Sequence, residues 1–273
     1  MKRKKVILIT GASSGIGKAT ALRLIKEGHK VYCAARSLNK MEDLKEQGGL
    51  PIEMDVSKTE SIERSFKKII KENGRIDVLY NNAGFGLYGT VEEIPMEDLR
   101  YQFEVNFFGL VKLTQLAIPY MRKQKSGKII NTTSIGGKIY SPLGSAYHAT
   151  KHAVEGWSDC LRIELKKFGI DVIIIEPGII HTNFAEVLEE PMKEISKNYA
   201  YKGILEHTLK MMSQIERNGS SPDVIAKVVQ KSIRSRRPKT RYAAGYMAKA
   251  TLWMRKHFSD RCYDKIIMSR FAR

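Results

Sequence analysis

The chain is poor in cysteine, and its three cysteines follow no pattern. Cys33, Cys160 and Cys262 stand far apart, and none share the C-x-x-C spacing of a zinc or thiol-redox site. An odd, scattered set argues against a disulfide framework and for a reducing, cytoplasmic setting. No metal-ligand grouping is read from the sequence. Also missing is an uninterrupted apolar run of about 18 residues, the length a helix needs to cross a bilayer. Apolar residues form 42% of the 273 residues but are divided into short runs. The basic start Met1-Lys2-Arg3-Lys4-Lys5 leads into Val6 to Thr10, too short for the apolar region of a signal peptide, so it reads as a first strand. There is no internal repeat and no low-complexity linker. One domain over residues 1–273 is the expectation, a length that a single doubly wound sheet reaches.

Negative charge is scarce relative to positive, and the net charge is +18. Twelve basic residues between Arg234 and Arg273 face only Asp260 and Asp264. A basic helical extension is expected over residues 246–273. Trp253, Phe258 and Tyr263 are interleaved there as in an interfacial helix, so peripheral contact with anionic lipid is one reading. A solvated helix pair covering the core is the other. Binding of nucleic acid through this tail is the least favoured.

Strand-like and helix-like segments alternate along the whole chain, which predicts an α/β fold with a mostly parallel sheet and helices on both faces. Seven strands are expected: Val6 to Thr10, Lys30 to Arg36, Pro51 to Met54, Asp77 to Ala83, Lys128 to Ser134, Asp171 to Pro177 and Thr240 to Gly245. Ser57-Lys58-Thr59-Glu60 has the form of a capping box, followed by Ile62, Phe66, Ile69 and Ile70 on one helical face. Ser221-Pro222-Asp223 predicts a second helix start, with serine as N-cap and proline at the first helical position. Residues 183–219 break the rhythm. Met192, Met211 and Met212 give that stretch an adaptable apolar surface, suited either to a substrate lid or to ordinary packing on the sheet.

After the first strand comes Thr10-Gly11-Ala12-Ser13-Ser14-Gly15-Ile16-Gly17, leading into a helical pattern. Glycines there permit a tight turn, close backbone approach to a pyrophosphate and tight helix packing, with the helix N-terminus facing the anion. This G-x-x-x-G-x-G string, in its strand-to-helix context, resembles the short-chain dehydrogenase/reductase family and implies a Rossmann-type sheet. Thr10, Gly11, Ser13, Ser14, Gly15, Ile16 and Gly17 are its dinucleotide-binding candidates. The second strand ends Ala34-Ala35-Arg36. An acidic residue at such an end accepts the ribose hydroxyls of NAD, whereas arginine attracts a 2′-phosphate. NADP(H) is therefore the preferred cofactor, with NAD(H) use left open. By resemblance, Asp55 and Val56 contact adenine, and Asn82, Ala83 and Gly84 belong to the family's N-N-A-G signature.

Tyr147 and Lys151 lie four residues apart in the helix inferred from Gly144 to Phe168, so they share one face. A free phenol, with its pKa near about 10, neither gives nor takes a proton well at neutral pH. Lowering it by about three units takes roughly 4 kcal/mol, and one cation about 4 Å away at an effective dielectric near 20 supplies that order. Lys151 is expected to provide it. Ser134 closes the fifth strand, where ligands sit in open α/β sheets, and can polarise a substrate carbonyl. Asn106 matches the family's asparagine that bends a helix and organises a proton path through Lys151. Tyr147, Lys151, Ser134 and Asn106 thus form the family's catalytic tetrad. Pro177, Gly178, Ile180 and Thr182 resemble its nicotinamide-side loop, where His181 reads as a surface residue. Glu176 stands where a small or polar residue is expected.

Phe85, Leu87 and Tyr88 after the N-N-A-G turn, Ile135, Tyr140 and Leu143 near Ser134, and the Met-rich stretch 183–219 are placed around the reacting carbon and imply an apolar pocket, with Phe85, Leu87, Leu143, Ser134 and Tyr147 as the substrate-binding candidates. The tail after Arg236 is similar to the hydroxysteroid- and retinol-dehydrogenase-like branch. That likeness implies a hydrophobic alcohol or ketone substrate and a homodimer or homotetramer. A catalytically idle NADP(H)-binding regulator is the alternative, as is a protein that acts mainly through its basic tail.

Overall fold

The computed structural model describes residues 4–182, 192–194 and 198–269. Seven strands form one sheet: β1 (Val6–Thr10), β2 (Lys30–Ala35), β3 (Leu50–Glu53), β4 (Val78–Asn81), β5 (Gly127–Thr132), β6 (Ile170–Pro177) and β7 (Arg241–Ala244). Their order is β3-β2-β1-β4-β5-β6-β7, and every pairing is parallel. The strand order reverses between β1 and β4, so a crevice opens at their carboxyl ends.

Ten helices accompany the strands among the described residues: α1 (Gly15–Lys26), α2 (Glu42–Glu46), α3 (Thr59–Asn73), α4 (Met96–Phe103), α5 (Gly109–Gln124), α6 (Ser145–Leu165), α7 (Lys202–Arg217), α8 (Pro222–Arg234), α9 (Ala248–His257) and α10 (Asp260–Ser269). Side chains alternate across a strand with period two, and β1 shows what this does. Val6 and Leu8 pack with Phe66 of α3, Leu113 of α5 and Leu161 of α6, whereas Ile7 and Ile9 pack with Leu24 of α1 and Val229 of α8. Two cores result, one on each face. Arg23 of α1 and Asp223 of α8 tie the second layer together through a bidentate ion pair.

Two expectations shift. The predicted capping box does not form: α3 starts at Thr59 after Lys58, because the Ser57 hydroxyl donates to Asp55 Oδ1 at 2.7 Å and is not turned to the helix. Ser221, by contrast, caps α8 as predicted, accepting from the Asp223 amide. Ser134 lies beyond β5 and caps a short 3-10 turn, Ile135–Gly137. Within the stretch considered as a lid, 183–191 and 195–197 lie outside the described residues, as does the side chain of Met211. Met192 is buried.

The basic tail folds back onto the body. Tyr263 of α10 is fully buried and meets Tyr140 edge-on at 5.0 Å, while the Tyr140 hydroxyl donates to Asp264 at 2.9 Å. Arg255 of α9 covers both rings and pairs with Asp260. Among the described residues, no helix is long and apolar enough to cross a membrane.

Candidate active site

The carboxyl ends of β1, β4, β5 and β6 open into a cavity of about 1400 Å³. At one end sits the glycine turn. Gly11 and Gly15 have φ of 66° and 51°, in the left-handed region that favours glycine. A Cβ on Gly17 would lie 2.2 Å from the Gly11 carbonyl oxygen, so only a bare backbone lets α1 start this close to the turn. Thr10 does not reach the cavity. Its hydroxyl accepts from the amides of Asn82 and Ala83, both at 3.0 Å, and joins the ends of β1 and β4.

Arg36 lines the cavity just past β2 beside Asp55, and its guanidinium donates to the Tyr101 hydroxyl at 3.3 Å. Burial pushes the Asp55 carboxyl up, but hydrogen bonds from Ser57 and the charges of Arg36 and Lys58 outweigh it and hold the group below its usual range. Ser13, Ser14, Ile16, Val56, Asn82, Ala83 and Gly84 line the same end. Pro177, Gly178, Ile180 and Thr182 close it from β6, with the Thr182 methyl 3.1 Å from where a Gly15 Cβ would be. His181 is exposed.

Tyr147, Lys151 and Ser134 meet at the middle of the cavity. The Ser134 hydroxyl lies beside the Tyr147 phenol and opposes the effect of burial on it. Lys151 lies one turn on, its Nζ 5.7 Å from the centre of the tyrosine ring and donating to the Thr132 carbonyl at 3.1 Å. The expected tuning differs here. Burial pushes the Tyr147 phenol up to about 12, opposed by the Ser134 hydroxyl, and pushes Lys151 down to about 8. Both groups lose hydration, and the lysine charge, itself disfavoured by burial, does not offset the cost of a buried phenolate. Tyr147 therefore holds its proton and is poised as a donor.

Asn106 stands behind this pair, in a π-helical turn Glu104–Phe108 between α4 and α5. It accepts from the Phe85 amide at 3.0 Å and donates to the Phe85 carbonyl at 2.8 Å and to Thr150 at 3.1 Å. Asn106 thus holds the turn after β4 against α6. Of the substrate candidates, Phe85 lines the cavity, but Leu87 and Leu143 do not. Both are buried behind its wall, and Leu143 takes a left-handed φ of 62° as its carbonyl accepts from the Gly89 amide.

Tyr88, Ile135 and Tyr140, which the motifs also place near the reacting carbon, line the cavity, and the last two helices complete its apolar wall with residues that no motif marks. Tyr88 packs its ring 5.9 Å from that of Tyr147, and Met254, Tyr263 and Ile267 arrive from α9 and α10. His148 bonds the Gly136 carbonyl through Nδ1 and Ser141 through Nε2, and burial lowers its pKa. The one sequence signal for it is adjacency to Tyr147.

The short chain dehydrogenase family model matches residues 5–193. The chain belongs to the short-chain dehydrogenase/reductase family. A 3-ketodihydrosphingosine reductase of Bacteroides thetaiotaomicron is 37% identical over 92% of this chain and 93% of its own length. The crystal structure of a short-chain dehydrogenase from Streptomyces avermitilis superposes with a TM-score of 0.83, at 31% identity, over 99% of this chain and 100% of the other. A serine dehydrogenase complexed with NADP+ superposes with a TM-score of 0.76, at 26% identity, covering 88% and 94%. This short-chain dehydrogenase/reductase is an NAD(P)-dependent oxidoreductase, and its glycine turn, bare where a dinucleotide must approach, fits that cofactor.

Proposed function

We propose that the protein is an NADP(H)-preferring oxidoreductase acting on the carbonyl or alcohol carbon of a bulky, lipid-like substrate. The observation that carries this reading is that Tyr147, Lys151 and Ser134 converge in one cavity that runs from the glycine turn to an apolar wall.

When bound, the nicotinamide supplies or accepts the hydride. The chain's own groups handle the proton and the oxygen. Ser134 orients the substrate carbonyl oxygen next to the Tyr147 hydroxyl. Tyr147, protonated at neutral pH, gives its proton to the oxygen as negative charge develops there, and takes one back in the oxidative direction. Lys151, with a pKa near 8, is largely charged at neutral pH and favours the phenolate left behind. Closure by Tyr263, Met254 and Ile267 keeps water away from the reacting carbon.

Arg36 supports the preference for a 2′-phosphate, since guanidinium and phosphate form strong charge-assisted hydrogen bonds. The Bacteroides relative is named for reducing a keto group on dihydrosphingosine, and together with the apolar wall it favours a long-chain ketone. Steroid- and retinoid-like ketones belong to the same class. Exposed Phe108 and Ile163 support pairing of like chains through the α5–α6 face. Exposed Trp253, on a face of α9 with Lys249 and Lys256, supports peripheral contact with anionic lipid.

The test is oxidation of NADPH, with NADH in parallel, over a panel of lipophilic ketones for the wild-type chain and Tyr147→Phe. Turnover with NADPH that falls roughly 10²- to 10⁴-fold in the variant, with NADPH binding retained, is the expected result. Undiminished turnover would remove the acid/base role from Tyr147.

A further inference from the structure

Behind the catalytic pair lies a cluster of charges around two buried carboxylates, Glu155 and Glu176, that the reaction scheme does not use. Glu155, one turn beyond Lys151 on α6, is almost fully buried. Its Oε2 accepts from Arg241 at 3.0 and 3.1 Å and pairs with Lys138 Nζ at 3.0 Å. Its Oε1 accepts from the Thr133 hydroxyl at 2.7 Å. Asp159, a further turn along α6, accepts from the same Nη2 of Arg241 at 2.6 Å and pairs with Arg162. Glu176 on β6 faces the same guanidinium at the longer distance of 3.8 Å.

The cluster draws on every element around the catalytic serine. Thr133 directly precedes Ser134, Lys138 follows the Ile135–Gly137 turn that Ser134 caps, and Glu176 directly precedes Pro177 on the nicotinamide side. Arg241 opens β7. A carboxylate so deeply buried is costly unless fully bonded. Glu155 is fully bonded, and each bond reaches a segment that frames the reacting atoms. The Thr133 amide also donates to the Ile175 carbonyl at 2.9 Å, so the Glu155 bond adds a second constraint to a strand end already tied to β6.

We propose that Glu155, anchored by Lys138 and Arg241, is a positioning residue that holds Thr133 and thereby sets Ser134 against Tyr147 for proton transfer. This rests on the oxidoreductase reading above. A misplacement of the serine by a fraction of an ångström spoils its alignment with the tyrosine and the substrate oxygen without disturbing the glycine turn at the cavity's far end, so chemistry suffers while cofactor binding does not.

The experiment compares Thr133→Val, Thr133→Ser, Glu155→Gln and the Thr133→Val/Glu155→Gln double variant by kcat, NADPH affinity and melting temperature. Tyrosine carrying ¹³C at Cζ is observed by NMR in the same proteins, the Tyr147 signal being the one absent from Tyr147→Phe. Thr133→Val should lower kcat roughly 10-fold with NADPH affinity held within about twofold, and Thr133→Ser should restore kcat. The double variant should be no worse than the worse single one, as expected of residues acting through one contact. The Tyr147 signal should move in Thr133→Val and return in Thr133→Ser. If the wild-type chain turns over no ketone in the panel, the functional reading falls and the NMR comparison alone decides this proposal. A folded Thr133→Val with an unmoved Tyr147 signal overturns it. So does a loss shared by kcat, NADPH affinity and melting temperature that serine fails to rescue.

Discussion

The two ends of the cavity are made of different material. The dinucleotide end is largely backbone: Gly11 and Gly17 leave no room for a methyl group, Gly15 takes a left-handed φ, and the nearby Thr10 hydroxyl bonds main-chain amides. The substrate end is made of side chains gathered from distant parts of the chain, with Tyr88 after β4, His148 on α6, and Met254, Tyr263 and Ile267 on the last two helices. Backbone packed on backbone fixes one shape for a ligand part common to a whole class of reactions. A wall of side chains can change its lining without moving the sheet beneath it. The first end should therefore be brittle and the second adjustable.

The strongest break in that contrast is Gly17→Ala. The new methyl group would meet the Gly11 carbonyl, which cannot swing away as a side chain would. A loss of roughly 3 kcal/mol is expected, at the upper end for overpacking, seen as weaker NADPH binding by titration and a lower melting temperature. A variant with wild-type affinity would mean that the turn yields more easily than its geometry implies.

Next in size is an effect at the seam beneath both ends. Burial and the neighbouring Glu155 push the Glu176 carboxyl up to about 7, against the pull of Arg241 and Lys138. The folded protein therefore binds this proton more tightly than the unfolded chain, and stability falls as pH rises from the ordinary glutamate range towards 7. The loss is roughly 3 kcal/mol and levels off above that pH. Glu176→Gln should remove most of this slope in denaturant melts taken from pH 4 to 8, and an unchanged slope would place the titration elsewhere.

Arg36→Asp tests whether cofactor choice belongs to the dinucleotide end alone. The ratio of NADPH to NADH efficiency should fall by roughly 10- to 100-fold, the scale of removing one charge-assisted hydrogen bond to a phosphate, while the order of preference among ketones stays the same. A changed ketone order would show that the two ends communicate. The smallest effect is expected from Met254→Ala, which enlarges the substrate wall. It should raise KM for long-chain ketones by about 10-fold, or roughly 1.4 kcal/mol, and leave NADPH affinity unchanged. Equal losses in both would erase the distinction between the two ends.

The same contrast explains what could be read from the sequence. The glycine turn, Arg36, the Asn82-Ala83-Gly84 turn and the Tyr147/Lys151 spacing are local features whose residues act within one turn of strand or helix. The seven strands are legible for the same reason, to within one or two residues at most ends. The substrate wall is legible only where it follows a motif, as Tyr88 does, because Met254 and Ile267 meet it only after the chain has folded. Leu87 and Leu143 sit close to catalytic residues in sequence, yet their turns direct them into the packing behind the wall. Glu176 reads as an anomaly because its partners, Glu155 and Arg241, come from α6 and β7. The tail's charge is evident, but not that Tyr263 would bury itself against Tyr140 under Arg255. The expectation that Lys151 lowers the Tyr147 pKa leaves out the hydration both groups lose on burial.

The π-helical turn at Glu104–Phe108 makes the length of the chain there as important as its composition. Gln102 from α4 and Asn106 from within the turn both reach the Phe85 carbonyl, at 3.1 and 2.8 Å. One residue subtends about 100° of a regular helix. Loss of a single codon between 104 and 108 would let α4 and α5 merge into a regular helix and turn one against the other by that angle. Gln102 could still hold the Phe85 turn, but α5 would then face α3 on the wrong side. An in-frame deletion of one amino acid at this spot would do what few substitutions in the segment could, putting the helix out of phase with its neighbour.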